Sequence, residues 1–80
     1  MRVFFYGRLA DTVGSEIEVP SDGVSSVGGL RRRLAATYPH LTDALQDGRV
    51  KALVGETFVN DDHPLTPDHE VEFLAPVSGG

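Results

Sequence analysis

Cysteine is absent from this chain, which removes disulfide staples, thiolate metal sites and a cysteine nucleophile in one stroke. A chain without cysteine also suits a reducing compartment, and a cytoplasmic protein is the expectation. Tryptophan is absent too, and no cofactor-binding motif stands in its place. In 80 residues, that poverty argues against a self-contained enzyme. Long apolar runs are missing. The run at residues 3–6 is four residues long, too short for the core of a signal peptide and far too short to span a bilayer. A soluble, non-secreted protein is therefore expected. Positive charge is scarce: 7 Lys and Arg face 12 Asp and Glu, for a net charge of −5. Nucleic-acid binders draw affinity from cations on phosphates, so this balance argues against them, and equally against docking on an anionic membrane.

What is present suffices for one small domain. Apolar residues make up 40% and charged residues 24%, close to a globular balance. There is no room for a second core. A core of this size supplies only about 3–5 kcal/mol of net stability.

Residues 2–6 (RVFFY) are rich in aromatic and β-branched side chains and read as a strand. Residues 9–14 (LADTVG) read as a short polar connection ending in glycine. Residues 15–19 (SEIEV) alternate, with Ile17 and Val19 on one face, and Pro20 ends this second strand. Ser26 is a good N-cap for a helix over residues 27–38, where Val27, Leu30, Leu34 and Tyr38 form one apolar stripe that Ala35 widens. Pro39 stops it. Gly28 and Gly29 in the first turn are blemishes, each costing up to about 1 kcal/mol relative to alanine.

A further helical turn is expected over residues 42–46, closed by Asp47-Gly48. Residues 49–54 form a third strand with Val50, Ala52 and Val54 on one face. Gly55-Glu56 turns the chain into a very short strand at 57–59. Residues 60–68 are loop chemistry. Residues 69–75 alternate again as the last strand. The order reads ββαββ with the short extra strand, a mixed sheet of four to five strands with one main helix on one face. If the first and last strands lie parallel at the centre, this α+β domain is a β-grasp, the architecture of ubiquitin-like proteins. Its expected extent is residues 1–75, with 76–80 as a mobile tail.

One helix covers one face of a sheet. With Val3, Phe5, Val71, Phe73 and Ala75 assigned to the core, Phe4, Tyr6, Glu72 and Leu74 must point the other way. Phe58 joins them. Tyr6, Phe58 and Leu74 thus form a candidate protein-binding patch. The tail carries a second signal. Pro76-Val77-Ser78-Gly79-Gly80 reaches about 17 Å when extended, and glycine, lacking Cβ, lets the walls of another protein's site close around the backbone. Such a lead suits a C-terminal carboxylate that must enter a buried site.

These segments carry a resemblance. The chain resembles the MoaD-like sulfur carriers, the small subunits of molybdopterin synthase, over nearly its whole length. Arg2-Val3-Phe4-Phe5-Tyr6-Gly7-Arg8-Leu9 is similar to that family's first strand, and Asp62-His63-Pro64-Leu65-Thr66 to its loop before the last strand. The most specific stretch runs from Glu70 through Phe73-Leu74-Ala75-Pro76 to Val77-Ser78-Gly79-Gly80. There Ala75 replaces the first proline of the family's usual pair. Gly55 stands where relatives often carry asparagine, and Gly28-Gly29 in the helix start is a further departure.

The resemblance implies the chemistry. The Gly80 carboxylate is adenylated with ATP by a ubiquitin-activating-type adenylyltransferase, and a sulfur donor converts it to a thiocarboxylate. No cofactor is held by the chain itself. Gly79 gives the terminus access. The tail, with Pro76, Val77 and Ser78, inserts into the large subunit of molybdopterin synthase and supplies sulfur for the molybdopterin dithiolene, made from cyclic pyranopterin monophosphate. Tyr6, Phe58 and Leu74 match positions at which the family contacts its partners. The residues agree on one point: without a side-chain nucleophile, the terminus is the reactive group. Alternatives share the sequence pattern: a carrier for thiamine, cysteine or tRNA thiolation, a ubiquitin-like modifier, or a binding module with an inert tail.

The remaining motifs read plainly. Arg31-Arg32-Arg33 reads as a solvated helix face. His63 and His69, near Asp61, Asp62 and Asp68, lack the ligand spacing of zinc or calcium sites. Lys51 reads as exposed. Gly28-Gly29 is no phosphate cradle.

Overall fold

The computed structural model describes residues 1–46 and 50–74. The turn expected at Asp47-Gly48, Arg49 at the start of the third strand, Ala75 and the tail lie outside the described residues.

Five strands form one sheet in the order β2-β1-β5-β3-β4. β1 (Arg2–Tyr6) and β5 (Glu70–Leu74) sit parallel and side by side, with Val3 opposite Val71 and Phe5 opposite Phe73. β2 (Glu16–Glu18) is antiparallel on one flank of β1. β3 (Lys51–Val54) is antiparallel to β5, and β4 (Thr57–Val59) closes the other edge. Gly55 and Glu56 join β3 to β4 with φ of 58° and 65°, as a two-residue hairpin turn of the right twist requires. This is the expected β-grasp, with five strands.

The alternation in β1 and β5 decides which face is buried. Val3, Phe5, Val71 and Phe73 are all within 1% of full burial. Phe5 and Phe73 stack with ring centroids 5.9 Å apart. Over them lies α2 (Val27–Thr37), whose Val27, Leu30 and Leu34 are fully buried. The Ser26 side chain accepts the Gly29 N–H at 3.1 Å, as an N-cap should. The helix stops at Tyr38, before Pro39. A 3₁₀ turn (Pro39–Leu41) and α3 (Thr42–Gln46) then bring Leu41 and Leu45 into the same core.

Two expectations need correction. Residues 9–14 are not a plain connection, because α1 (Arg8–Val13) forms there between Gly7 and Gly14, both at positive φ. It buries Leu9 and half-buries Ala10 and Val13, closing one end of the core. Polar residues around a single leucine hid so short an amphipathic turn.

The arginine run is not simply a solvated face either. Arg31 reaches inward. It donates to the carbonyls of Leu45 and Val50, both at 2.8 Å, pairs with Asp61 at 2.7 Å, and lies over the Phe73 ring at 5.2 Å. Arg33 donates to the carbonyls of Pro20 and Asp22. Of the three, only Arg32 is exposed; Arg31 and Arg33 are half-buried. Guanidinium planes suit such multiple carbonyl contacts, which a charge-run rule ignores.

Candidate functional site

The sheet face away from α2 carries the candidate surface, and strand register orders it in rows. Tyr6, Leu74 and Lys51 form one row, adjacent across β1, β5 and β3. Phe4, Glu72, Leu53 and Phe58 form the next, across all four strands from β1 to β4. Arg2 and Glu70 follow, with Glu16 and Glu18 on β2 beside them.

Among the described residues, Tyr6 and Phe58 are the large apolar side chains left exposed, at 44% and 64%. Leu74 is half-buried beside Tyr6. Phe58 does not touch that pair in register. Its strand lies three strand spacings from β1, about 14 Å at the usual separation. Half-buried Leu53 stands between Phe58 and Glu72, and half-buried Phe4 lies next to Tyr6 along the same face of β1, so the apolar groups are interrupted by Glu72 on β5. Phe4 was legible from the alternation of β1. Leu53 was not singled out, although the phase of β3 around Ala52 points it the same way.

The electrostatics of this face follow from those rows. The Tyr6 hydroxyl ionises above its ordinary 10.0, first because neighbours shield it from water, then because Glu72 hydrogen-bonds to it and repels its phenolate. Arg2 bridges Glu16 at 2.9 Å and Glu70 at 3.4 Å. The Met1 ammonium donates to Glu18 at 2.8 Å and to the Val19 carbonyl at 2.9 Å. That hydrogen bond and charge hold the Glu18 carboxyl below its ordinary value.

β5 ends at Leu74, in the middle of the sheet and at the end where β1 also finishes and β3 begins. Pro76, Val77, Ser78, Gly79 and Gly80 follow it in sequence and lie outside the described residues.

The β4–β5 connection does something the sequence did not suggest. It clamps the start of α2. The N–H groups of Val27 and Gly28 donate to the carbonyls of His63 (3.1 Å) and Asp61 (2.8 Å), and Leu65 donates to Ser25. With Gly29 and Leu30 bonded to Ser26, the first four helical donors are all spent on protein. A Cβ on Gly28 would stand 3.2 Å from the Asp61 carbonyl, so this glycine permits a close approach. His69 Nδ1 accepts the Thr66 N–H at 3.0 Å, a turn-stabilising role. Among the described residues, no three His, Asp or Glu side chains gather as metal ligands. An open cleft of about 710 Å³ beside α2 and β4 is lined by Arg31, Arg32 and Lys51 but also by Asp61 and Asp62, so it favours neither charge. No helix among the described residues is long and apolar enough to cross a membrane.

With the geometry in place, known proteins supply the context. The model of the ThiS family matches residues 3–80. The molybdopterin synthase sulfur carrier subunit of Escherichia coli (strain K12) is 36% identical over 80 residues, covering 100% of this chain and 99% of that protein. Among solved structures, SAMP1 from Haloferax volcanii superposes with a TM-score of 0.82 at 24% identity, covering 99% of this chain and 97% of that one. The H. volcanii small archaeal modifier protein 1 does so with a TM-score of 0.80 at 21% identity, covering 95% of each chain. These two likenesses carry the ubiquitin-like fold.

The chain is thus a ubiquitin-like β-grasp protein of the sulfur-carrier class. It belongs to the ThiS family, with a MoaD-type carrier among its full-length relatives.

Proposed function

We propose that this chain is the sulfur carrier subunit of a cytoplasmic molybdopterin synthase. The observation that carries the reading is the 36% identity to the E. coli sulfur carrier subunit over the full length of both chains. The geometry supports it. A central strand ends beside the exposed Tyr6, and the residues that follow finish in Gly79-Gly80.

In this reading an adenylyltransferase of the ubiquitin-activating type docks on the Tyr6, Leu74 and Phe58 face. The Gly80 carboxylate attacks the α-phosphorus of ATP, releasing pyrophosphate and forming an acyl adenylate. A sulfur donor displaces AMP, leaving a thiocarboxylate. Its sulfur is a better nucleophile than a carboxylate oxygen. Pro76, Val77 and Ser78 then lead Gly79 and Gly80 into the large subunit, where sulfur passes to cyclic pyranopterin monophosphate. The chain contributes recognition and a reactive end, while its partners contribute catalysis.

The test is intact mass after incubation with ATP, the cognate activating enzyme and a sulfur donor. Exchange of one oxygen for sulfur, abolished by removing Gly80, is expected. Recovery of the large subunit in a pull-down from cell extract fixes the pathway. A wholly unmodified mass refutes the carrier reading. Higher-mass lysine conjugates in lysate, with no thiocarboxylate, replace it with a modifier.

A further inference from the structure

Among the described residues, the charged side chains on the sheet face away from α2 are paired within the chain, with one exception. Arg2 bridges Glu16 and Glu70. Glu18 holds the Met1 ammonium. Glu72 accepts a hydrogen bond from the Tyr6 hydroxyl. The exception is Lys51, the chain's single lysine. It is exposed and has no ion-pair partner among the described residues. Glu72 sits diagonally from it across β5, yet no ion pair joins the two. Register sets Lys51 opposite Leu74, in the row that begins at Tyr6. Beside it opens a hollow of about 260 Å³ lined by Lys51, Phe58, Val59 and Asn60. Phe58 gives the hollow an apolar wall, and Lys51 brings the one charge among those lining residues.

We propose that Lys51 and the hollow beside it receive a carboxylate side chain of the protein that docks on the Tyr6 and Leu74 row. The inference rests on the reading that a partner covers this face. It adds the chemistry that partner must present: an aspartate or glutamate set among apolar groups. A partner seated on Tyr6 and Leu74 also takes water from Lys51, the next residue in the row. An ammonium stripped of water without a counter-charge is costly to bury. Tyr6 already occupies the Glu72 carboxylate, so the counter-charge comes from outside the chain. Lysine's flexible four-carbon stem lets Nζ follow that carboxylate into the hollow, while the Phe58 ring packs against its stem. The same feature sets specificity. On a chain of net charge −5 most of the surface repels a carboxylate, so an attractive point at Lys51 favours one docking register over others. An extended polyanion such as nucleic acid or an anionic membrane is a poor occupant, because it meets the whole negative surface and not one lysine.

The test measures binding of the full chain to the purified cognate adenylyltransferase by calorimetry at several salt concentrations. Lys51→Met keeps the stem and removes the charge, and is expected to weaken the complex about tenfold, the low end for a close charge pair across an interface. Lys51→Glu places like charges together and is expected to cost roughly a hundredfold. Lys51→Arg is expected to stay within about twofold of the parent, since one carboxylate accepts either cation. Parent affinity is expected to fall as salt rises, and that of Lys51→Met to change little. Unchanged far-ultraviolet dichroism shows that each variant folds. A zero-length carbodiimide, which links an amine to a carboxylate in contact, is then applied to the complex. Because the chain has one lysine, peptide mapping is expected to join Lys51 to one aspartate or glutamate of the enzyme. Binding that Lys51→Glu leaves unchanged or strengthens, a parent affinity indifferent to salt, or a complex without a Lys51 link each overturns the proposal. These outcomes leave the carrier reading standing, since the parent chain still binds. A parent chain that does not bind the enzyme refutes the docking reading and this inference with it.

Discussion

Replacing Arg31 by methionine removes a cation while keeping most of the apolar stem, and the structure sets the expected cost. The guanidinium holds the carbonyls of Leu45 and Val50, both partly buried, at 2.8 Å. Hydrogen bonds from a charged donor are worth about 1.5–3 kcal/mol each. The Asp61 pair adds less than about 1 kcal/mol, because that carboxylate is 65% exposed and screened by solvent. The stacking over Phe73 adds about 0.5–1 kcal/mol. Water recovers part of the carbonyl bonding, so a net loss of about 2–4 kcal/mol is expected. Against the about 3–5 kcal/mol of net stability that a core of this size supplies, that is most of the total. Urea unfolding followed by far-ultraviolet dichroism should show the midpoint fall by roughly 2 M, with m of about 1–2 kcal/mol/M. Arg31→Lys retains the charge but satisfies fewer carbonyls, and should lose about half as much. Asp61→Ala should cost less than about 1 kcal/mol. If Asp61→Ala costs as much as Arg31→Met, or if Arg31→Met costs under about 0.5 kcal/mol, the assignment of the energy to the two carbonyls is wrong.

Three further outcomes follow from particular contacts. Gly29→Ala meets only ordinary contacts, Ser26 Oγ at 3.5 Å being the nearest, and should raise stability by about 0.5–1 kcal/mol through helix propensity. Gly28→Ala must push on the Asp61 backbone at 3.2 Å and should lose that gain or reverse it, so equal stabilisation of the two variants in urea titrations would contradict the close approach. For Tyr6, the hydroxyl ionises above 10.0, so the unfolded chain loses its proton first and stability should fall as pH rises beyond that value. In a Tyr38→Phe background, phenolate absorbance should titrate nearer 10.0 after Glu72→Gln, with shielding from water leaving a residual shift; no movement would exclude Glu72 as a cause. Glu18 is displaced the opposite way. Its folded carboxyl stays ionised below the ordinary 4.5, so its contribution is present above that value and lost as pH falls through the lower folded one. Glu18→Gln should therefore lower the urea midpoint at neutral pH and match the parent chain once the parent's carboxylate is protonated.

Much of the fold was legible because its signals are local. The alternation of Arg2–Tyr6 and Glu70–Leu74, the stripe of Val27, Leu30 and Leu34, and the stop at Pro39 each reside within a dozen residues. The open face followed by elimination, since one helix covers one side, and Tyr6, Leu74 and Phe58 do lie on it. Their spacing was not legible. Tyr6 and Leu74 are register neighbours, whereas Phe58 stands beyond Leu53 and Glu72. α1 escaped notice because six residues with one buried leucine carry too little periodicity. The Gly28-Gly29 pair looked like a defect because helix propensity takes no account of what packs against the helix.

Residue order alone determined which side chains must be buried, because alternation and helical periodicity are properties of neighbouring positions. It also set the inventory of reactive groups: no thiol, one lysine and the Gly79-Gly80 pair. The partnerships belonged to tertiary structure. Arg31 meets Leu45, Val50 and Asp61 across separations of 14, 19 and 30 residues. Lys51 meets Leu74 only because β3 takes its place beside β5. Such contacts leave no period in the sequence. They arise when burying the α2 stripe brings distant segments together, and backbone carbonyls then accept whichever donor arrives.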